Sequence, residues 1–170
     1  MKKLLLIALL CCAPLVQALP DLVRNGEAGW RQWGSGEMTW FGFSLYRATL
    51  WVAGSAPETS PSALQLDYLR DIPRDRLVQA SLEEMRRLGA DEAQLQRWEP
   101  ELRRVFPDVK TGDTIIGVHY PGRGAQFFYQ GRASGDVADP EFARRFFAIW
   151  LDPASRSPAL RAALLKRPEG

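Results

Sequence analysis

Between Glu37 and Val52 apolar residues outnumber polar ones, with aromatic and β-branched types prominent, and the run is broken near Gly42. That pattern predicts two strands. In the second, Tyr46, Ala48, Leu50 and Val52 share one face, and Leu45, Arg47, Thr49 and Trp51 share the other. A Pro- and Ser-rich stretch, Gly54–Ser62, reads as a loop, and Ala63–Leu69 then sets Leu64, Leu66 and Tyr68 against Gln65 and Asp67, a half-buried strand. Beyond it the period changes to that of a helix. Pro73 opens a helix running to Leu88, where Gly89 stops it. Asp91 caps a second helical stretch carrying Leu95, Trp98, Leu102, Val105 and Phe106, in which Pro100 predicts a kink or a fresh start. Asp113–Tyr120 and Gln126–Gln130 flank the turn Pro121-Gly122-Arg123-Gly124 as a hairpin, and Gly131–Val137 adds a short strand. Asp139-Pro140 and Ser157-Pro158 start helices over Pro140–Leu151 and Pro158–Leu165. Strands, helices, strands, helices in that order predict an α+β fold, an antiparallel sheet with its helices gathered on one face.

The amino terminus follows a different pattern. Met1-Lys2-Lys3 is a short basic start, Leu4 to Val16 is an apolar run, and Val16-Gln17-Ala18 is a small-x-small cleavage pattern. The run is shorter than the ~20 residues that span a bilayer, so residues 1–18 read as a cleavable signal peptide and not as a membrane anchor. Lipidation would use Cys11 or Cys12, but Leu10 and Cys11 precede them where a lipobox wants Gly, Ala or Ser. The working domain is then residues 19–170, expected in the periplasm, with no transmembrane segment after cleavage. This changes the meaning of the composition. The full chain of 170 residues has 22 Lys+Arg against 20 Asp+Glu, one His and two Cys. Removing the leader takes away Lys2, Lys3 and both cysteines, leaving a charge-neutral, cysteine-free domain. A domain of this size holds itself together by its core without disulfides. Neutrality gives no electrostatic footprint for nucleic acid, and a single His with no domain cysteine excludes thiolate zinc sites.

Standard catalytic signatures are missing. There is no G-x-S-x-G and no P-loop, and Gly122-Arg123-Gly124 is too short for a dinucleotide fingerprint, so no cofactor and no metal is expected. A Ser-His-Asp triad would need His119, which lies mid-strand and out of phase with Ile116, Val118 and Tyr120; a structural role suits it better. Arg47 and Arg70 sit in apolar strand surroundings, where a guanidinium needs either a protein carboxylate or the acid group of a ligand. Tyr46, Tyr68 and Tyr120 are positioned to line a pocket, or simply to fill the core. The candidate ligand-binding set is therefore Tyr46, Arg47, Arg70, Tyr68 and Tyr120, with no catalytic residue assigned. Six Trp and eight Phe supply either an apolar cavity or the filling of one.

Several segments carry a resemblance in their order and spacing: FSLYRATLWV (Phe43–Val52), LQLDYLRDIPRDRL (Leu64–Leu77), KTGDTIIGVHYPGRGAQFFYQGR (Lys110–Arg132), PEFARRFFAIWL (Pro140–Leu151) and a final helix ending in Leu164-Leu165. Together they resemble the bacterial, exported branch of the chalcone isomerase-like family. The resemblance implies an open-faced β-sandwich, a large antiparallel sheet under a helix layer, in a family that holds plant isomerases and non-catalytic fatty-acid binders. Fold alone does not choose between these functions. The plant catalytic set uses an Arg on an early strand, a Thr on the next, and Tyr, Lys and Asn on a helix. Here Tyr46 stands at the Thr position, and the helix positions fall on Arg76, Gln79 and Glu83. Gly36–Phe41 has no Arg, the helix has no Lys, and the only Asn is Asn25. The isomerase activity is therefore not carried over, and the resemblance points to a non-catalytic protein binding a small apolar or amphiphilic acid, with Arg47 or Arg70 supplying the cation. Two alternatives stand beside it. One is an isomerase or intramolecular lyase with Tyr46 and His119 as acid and base. The other is a structural or partner-binding module whose cleft is filled by its own aromatics. A connected cavity lined by Tyr46 and an Arg separates the first reading from the last.

Overall fold

A computed structural model of the chain describes Leu19 and residues 29–166. Residues 1–18, the expected signal peptide, and with them both cysteines lie outside the described residues. Among the described residues six strands form one antiparallel sheet in chain order: β1 (Trp30–Trp40), β2 (Phe43–Ala53), β3 (Ser62–Tyr68), β4 (Thr114–Tyr120), β5 (Gly124–Tyr129) and β6 (Arg132–Val137). Between β3 and β4 come α1 (Arg74–Arg87) and α2 (Glu92–Val105); after β6 come α3 (Pro140–Leu151) and α4 (Pro158–Leu165). This is the α+β arrangement that the hydrophobic pattern predicts.

Register decides what each face carries. Tyr46 stands opposite Tyr68, Ala48 opposite Leu66 and Leu50 opposite Leu64, and these residues, with Ile115 and Phe127, form the sheet side of the main core under the helices. The other parity, including Ala63, Ile116, Val118 and Phe128, builds a smaller cluster on the opposite face with Leu19, Trp51 and Tyr120. β3 is more deeply buried than its alternation suggests, because even the polar Gln65 is covered.

The helix ends follow from local chemistry. α1 closes in a Schellman motif: Ala90 N–H donates to the Met85 carbonyl and Gly89 N–H to that of Arg86, with Gly89 at φ +93°. Asp91 and Gln94 form a reciprocal capping box at the start of α2, at 2.8 and 2.9 Å. Asp139 accepts from the Glu141 and Phe142 amides of α3 and from Trp98 Nε1 of α2 at 2.8 Å, tying the two helices together.

Two elements differ from expectation. α2 runs unbroken through Pro100, which occupies an exposed position of the helix. β1 begins at Trp30, well before Glu37, because Gly34-Ser35-Gly36 conceals a strand behind a loop-like composition. Those glycines have a packing reason. A Cβ on Gly34 would lie 2.3 Å from the Ala163 carbonyl oxygen and 2.5 Å from that of Leu164, so α4 rests directly on the backbone of β1.

Candidate functional site

The helix layer does not fill the space above the sheet. A cavity of about 560 Å³ lies between β2, β3 and β4 below and α1, α3 and α4 above. Its volume is in the range of small-molecule sites, ~300–1,000 Å³. The floor is Tyr46, Leu64, Leu66, Tyr68, Ile115 and Phe127; Leu77 of α1, Phe146, Ile149 and Trp150 of α3 and Leu160 of α4 supply the upper walls. These side chains are there because strand alternation points one parity upward and the apolar faces of amphipathic helices point down.

Polar groups enter this apolar space at few points. Trp150 Nε1 donates to the Tyr46 hydroxyl at 2.9 Å, leaving the phenolic hydrogen of Tyr46 for another acceptor. Tyr46 meets Tyr68 edge to face, with ring centroids 5.7 Å apart. Burial pushes the Tyr46 hydroxyl up to about 12, against the Trp150 hydrogen bond and with a further push from the Glu84 charge. Burial, then the neighbouring Tyr46, raises Tyr68 further still, and no hydrogen bond from a described residue reaches its hydroxyl. At neutral pH both phenols are protonated donors.

The charged rim comes from α1 and the loop before α4. Arg76, Gln79 and Glu83, spaced along one face of α1, all line the cavity, and so do Glu84 and Arg156. Glu84 is shared between Arg87 at 2.7 Å and Arg156 at 2.8 Å. Arg76 is exposed and has no carboxylate partner among the described residues. Two guanidiniums, Arg76 and Arg156, and two carboxylates, Glu83 and Glu84, thus line the rim, and Arg76 is the cation there without an ion pair among the described residues.

The five residues singled out from the sequence part company here. Tyr46 and Tyr68 meet on the cavity floor. Arg47 does not reach it: it follows Tyr46 in an extended strand, so it points to the opposite face, where it pairs with Glu37 at 2.9 Å. Arg70 lies over the Phe43 ring at 4.6 Å, outside the cavity lining. Tyr120 shares the parity of Ile116 and Val118 and packs on the far face, with Arg123 over its ring at 5.0 Å. The cations of the site are instead Arg76 and Arg156. Arg76, with Gln79 and Glu83, is where the family resemblance places its helix positions; the periodicity of α1 carries the same information, since they fall on one face. His119 stacks on Phe147 at 5.1 Å, at the level of Ser62 on β3. That is six residues, roughly 20 Å, along the sheet from Tyr46, so the two do not act on one atom as acid and base. Among the described residues no cluster of His, Cys, Asp or Glu is arranged to hold a metal ion, and no helix is long and apolar enough to cross a membrane.

Comparison with known proteins adds to this geometry. A family model described as chalcone isomerase-like matches residues 18–166. Among solved structures, a fatty-acid binding protein of Arabidopsis thaliana superposes with a TM-score of 0.62 at 12% identity, covering 82% of this chain and 89% of that one. At that identity the likeness speaks for the fold. No curated protein matches the sequence.

Proposed function

The chain belongs to the chalcone isomerase-like family, and from that membership we propose that it is a non-catalytic binding protein for a small amphiphilic acid of the fatty-acid class. The observation that carries this reading is the cavity itself, apolar through its depth and ending in two phenol donors and a rim that contains Arg76. An acyl chain gains from leaving water for such a space, and a carboxylate finds charge-assisted hydrogen bonds at its polar end. The similar fold of a fatty-acid binding protein supports the ligand class.

Absent groups support the non-catalytic part. α1 contains no Lys and no Asn. β1 does contain Arg31, but at the end opposite Tyr46: Arg31 pairs with Val52, whereas Met38 pairs with Tyr46. The donors that would stabilise developing charge on a chalcone are therefore not assembled around Tyr46. The basic start, apolar run and Ala18 support export to the periplasm as part of the same proposal.

The test is native mass spectrometry of the gently purified protein, with displacement of a fluorescent fatty acid in solution. A co-purifying amphiphile and saturable displacement are expected, abolished by Leu66→Trp, which fills the floor. Absence of both in the wild type overturns the proposal.

A further inference from the structure

Among the described residues the exposed large apolar side chains are Trp40, Phe41, Phe43 and Leu69, at 46, 85, 57 and 43% exposure. They are not scattered. Trp40 and Phe43 pair across the end of the β1–β2 hairpin, and the Trp40 and Phe41 rings meet edge to face at 5.2 Å. Leu69 N–H donates to the Leu45 carbonyl at 2.9 Å, and the adjacent Arg70 lies over Phe43. One end of the sheet therefore carries a cluster of apolar side chains that the fold leaves in water.

The turn itself shows that folding does not ask for this cluster. Phe41 and Gly42 are both left-handed, at φ +46° and +79°. A two-residue hairpin loop of that kind favours Asn, Asp or Gly first, and a bulky residue there is strained. Phe41 bears that strain and gains almost no packing in return, a local conflict of the sort that marks a site serving something outside the fold.

Charge and continuity identify the partner. Arg70 and Arg76 have no carboxylate partner among the described residues, while Asp71 is occupied by Lys110 and Thr111, and Glu37 by Arg47. The charge set directly against the patch is thus the guanidinium of Arg70, over the Phe43 ring. Trp40 and Leu45 also line the cavity, so the patch runs into its rim. The exposed apolar area is concentrated in four side chains at the hairpin end of the sheet. They suit the headgroup level of a bilayer, where Trp, Phe and Arg are at home. Resting on the binding reading above, we propose that the Trp40–Phe43 tip docks on an anionic phospholipid bilayer and sets the cavity mouth against the membrane, from which the acid is taken or to which it is delivered.

The test is flotation of the exported protein after leader cleavage (residues 19–170), free of ligand, with vesicles of phosphatidylcholine alone or with 30% phosphatidylglycerol. Binding is expected to the anionic vesicles, weakened by about tenfold or more in Phe41→Ser/Phe43→Ser and weakened also in Arg70→Glu. Phe41→Asn relieves the turn, so it folds at least as well as the wild type, and it too is expected to bind vesicles less. All these variants keep their affinity for a fluorescent fatty acid in solution. A wild type that does not float with anionic vesicles, or a double variant that floats equally, overturns the proposal. So does a wild-type dimer in sedimentation velocity that the double variant abolishes, since the tip would then pair two copies. Because flotation uses no ligand, its failure leaves the cavity reading intact, and failed fatty-acid displacement leaves the docking result standing.

Discussion

Replacing Tyr46 by Phe removes one oxygen from the cavity floor, with two separable consequences. The first is internal. Trp150 Nε1 loses the acceptor it holds at 2.9 Å, and an N–H left unpaired beside an apolar space costs about 1–3 kcal/mol. For a domain of this length that lowers the melting temperature by about 3–10 °C. Tyr68→Phe is the matched control. It deletes a hydroxyl from the same edge-to-face pair, but one to which no described residue is hydrogen-bonded, so the melting temperature stays level or rises. The second consequence concerns the ligand. A hydrogen bond from a phenol to a carboxylate contributes about 1.5–3 kcal/mol, which raises Kd by roughly 10–150-fold for whichever tyrosine grips the headgroup. Thermal unfolding followed by circular dichroism reads the first effect, and fatty-acid displacement reads the second. Equal melting temperatures for the two variants would refute the role given to the Trp150–Tyr46 bond. Unchanged affinity in both would refute the floor as the polar end of the site.

Three further outcomes are expected. Burial raises Tyr46 to about 12 and Tyr68 beyond it; the folded state therefore keeps protons that the unfolded chain releases from about pH 10. Stability falls as pH rises above 10, by up to about 1.4 kcal/mol per pH unit per tyrosine, and urea titrations of the double Phe variant should show a flatter profile. His119 is lowered by burial, so the unfolded chain takes up its proton first and stability falls as pH drops below about 6.5. His119→Phe keeps the ring against Phe147 and should remove that slope. Gly34→Ala pushes a methyl into the carbonyls of Ala163 and Leu164 and should destabilise by about 1–3 kcal/mol, with faster hydrogen exchange concentrated in α4.

The fold was largely legible in the sequence because its signals are local. α3 and α4 start at Asp-Pro and Ser-Pro steps and end at the residues expected, Leu151 and Leu165. The start of β1 was not legible, since Gly34 and Gly36 are small for the sake of a helix far away in the chain. Within the site, Tyr46 and Tyr68 were readable from their parity. The same parity assigns Arg47 to the other face, since an apolar neighbourhood in sequence is not one in space; the face of Tyr120 follows only from the pairing of β3 with β4. The cavity is a shortage of side-chain volume between two layers, a property that no single segment carries. The aromatic tip was hidden for a related reason: Trp40, Phe41 and Phe43 look like strand core until the hairpin places them past the last helix.

β1 and α4 together make the fold a closed circuit. Every later strand pairs with the strand before it in the chain, so the sheet is built in sequence order. α4 alone returns to the beginning, laying its last turn on the bare backbone at Gly34. Until it does so the Leu160 wall is missing and the cavity floor is open from the side. A change that loosens α4 from Gly34 therefore opens the cavity from the side without altering any residue of its floor.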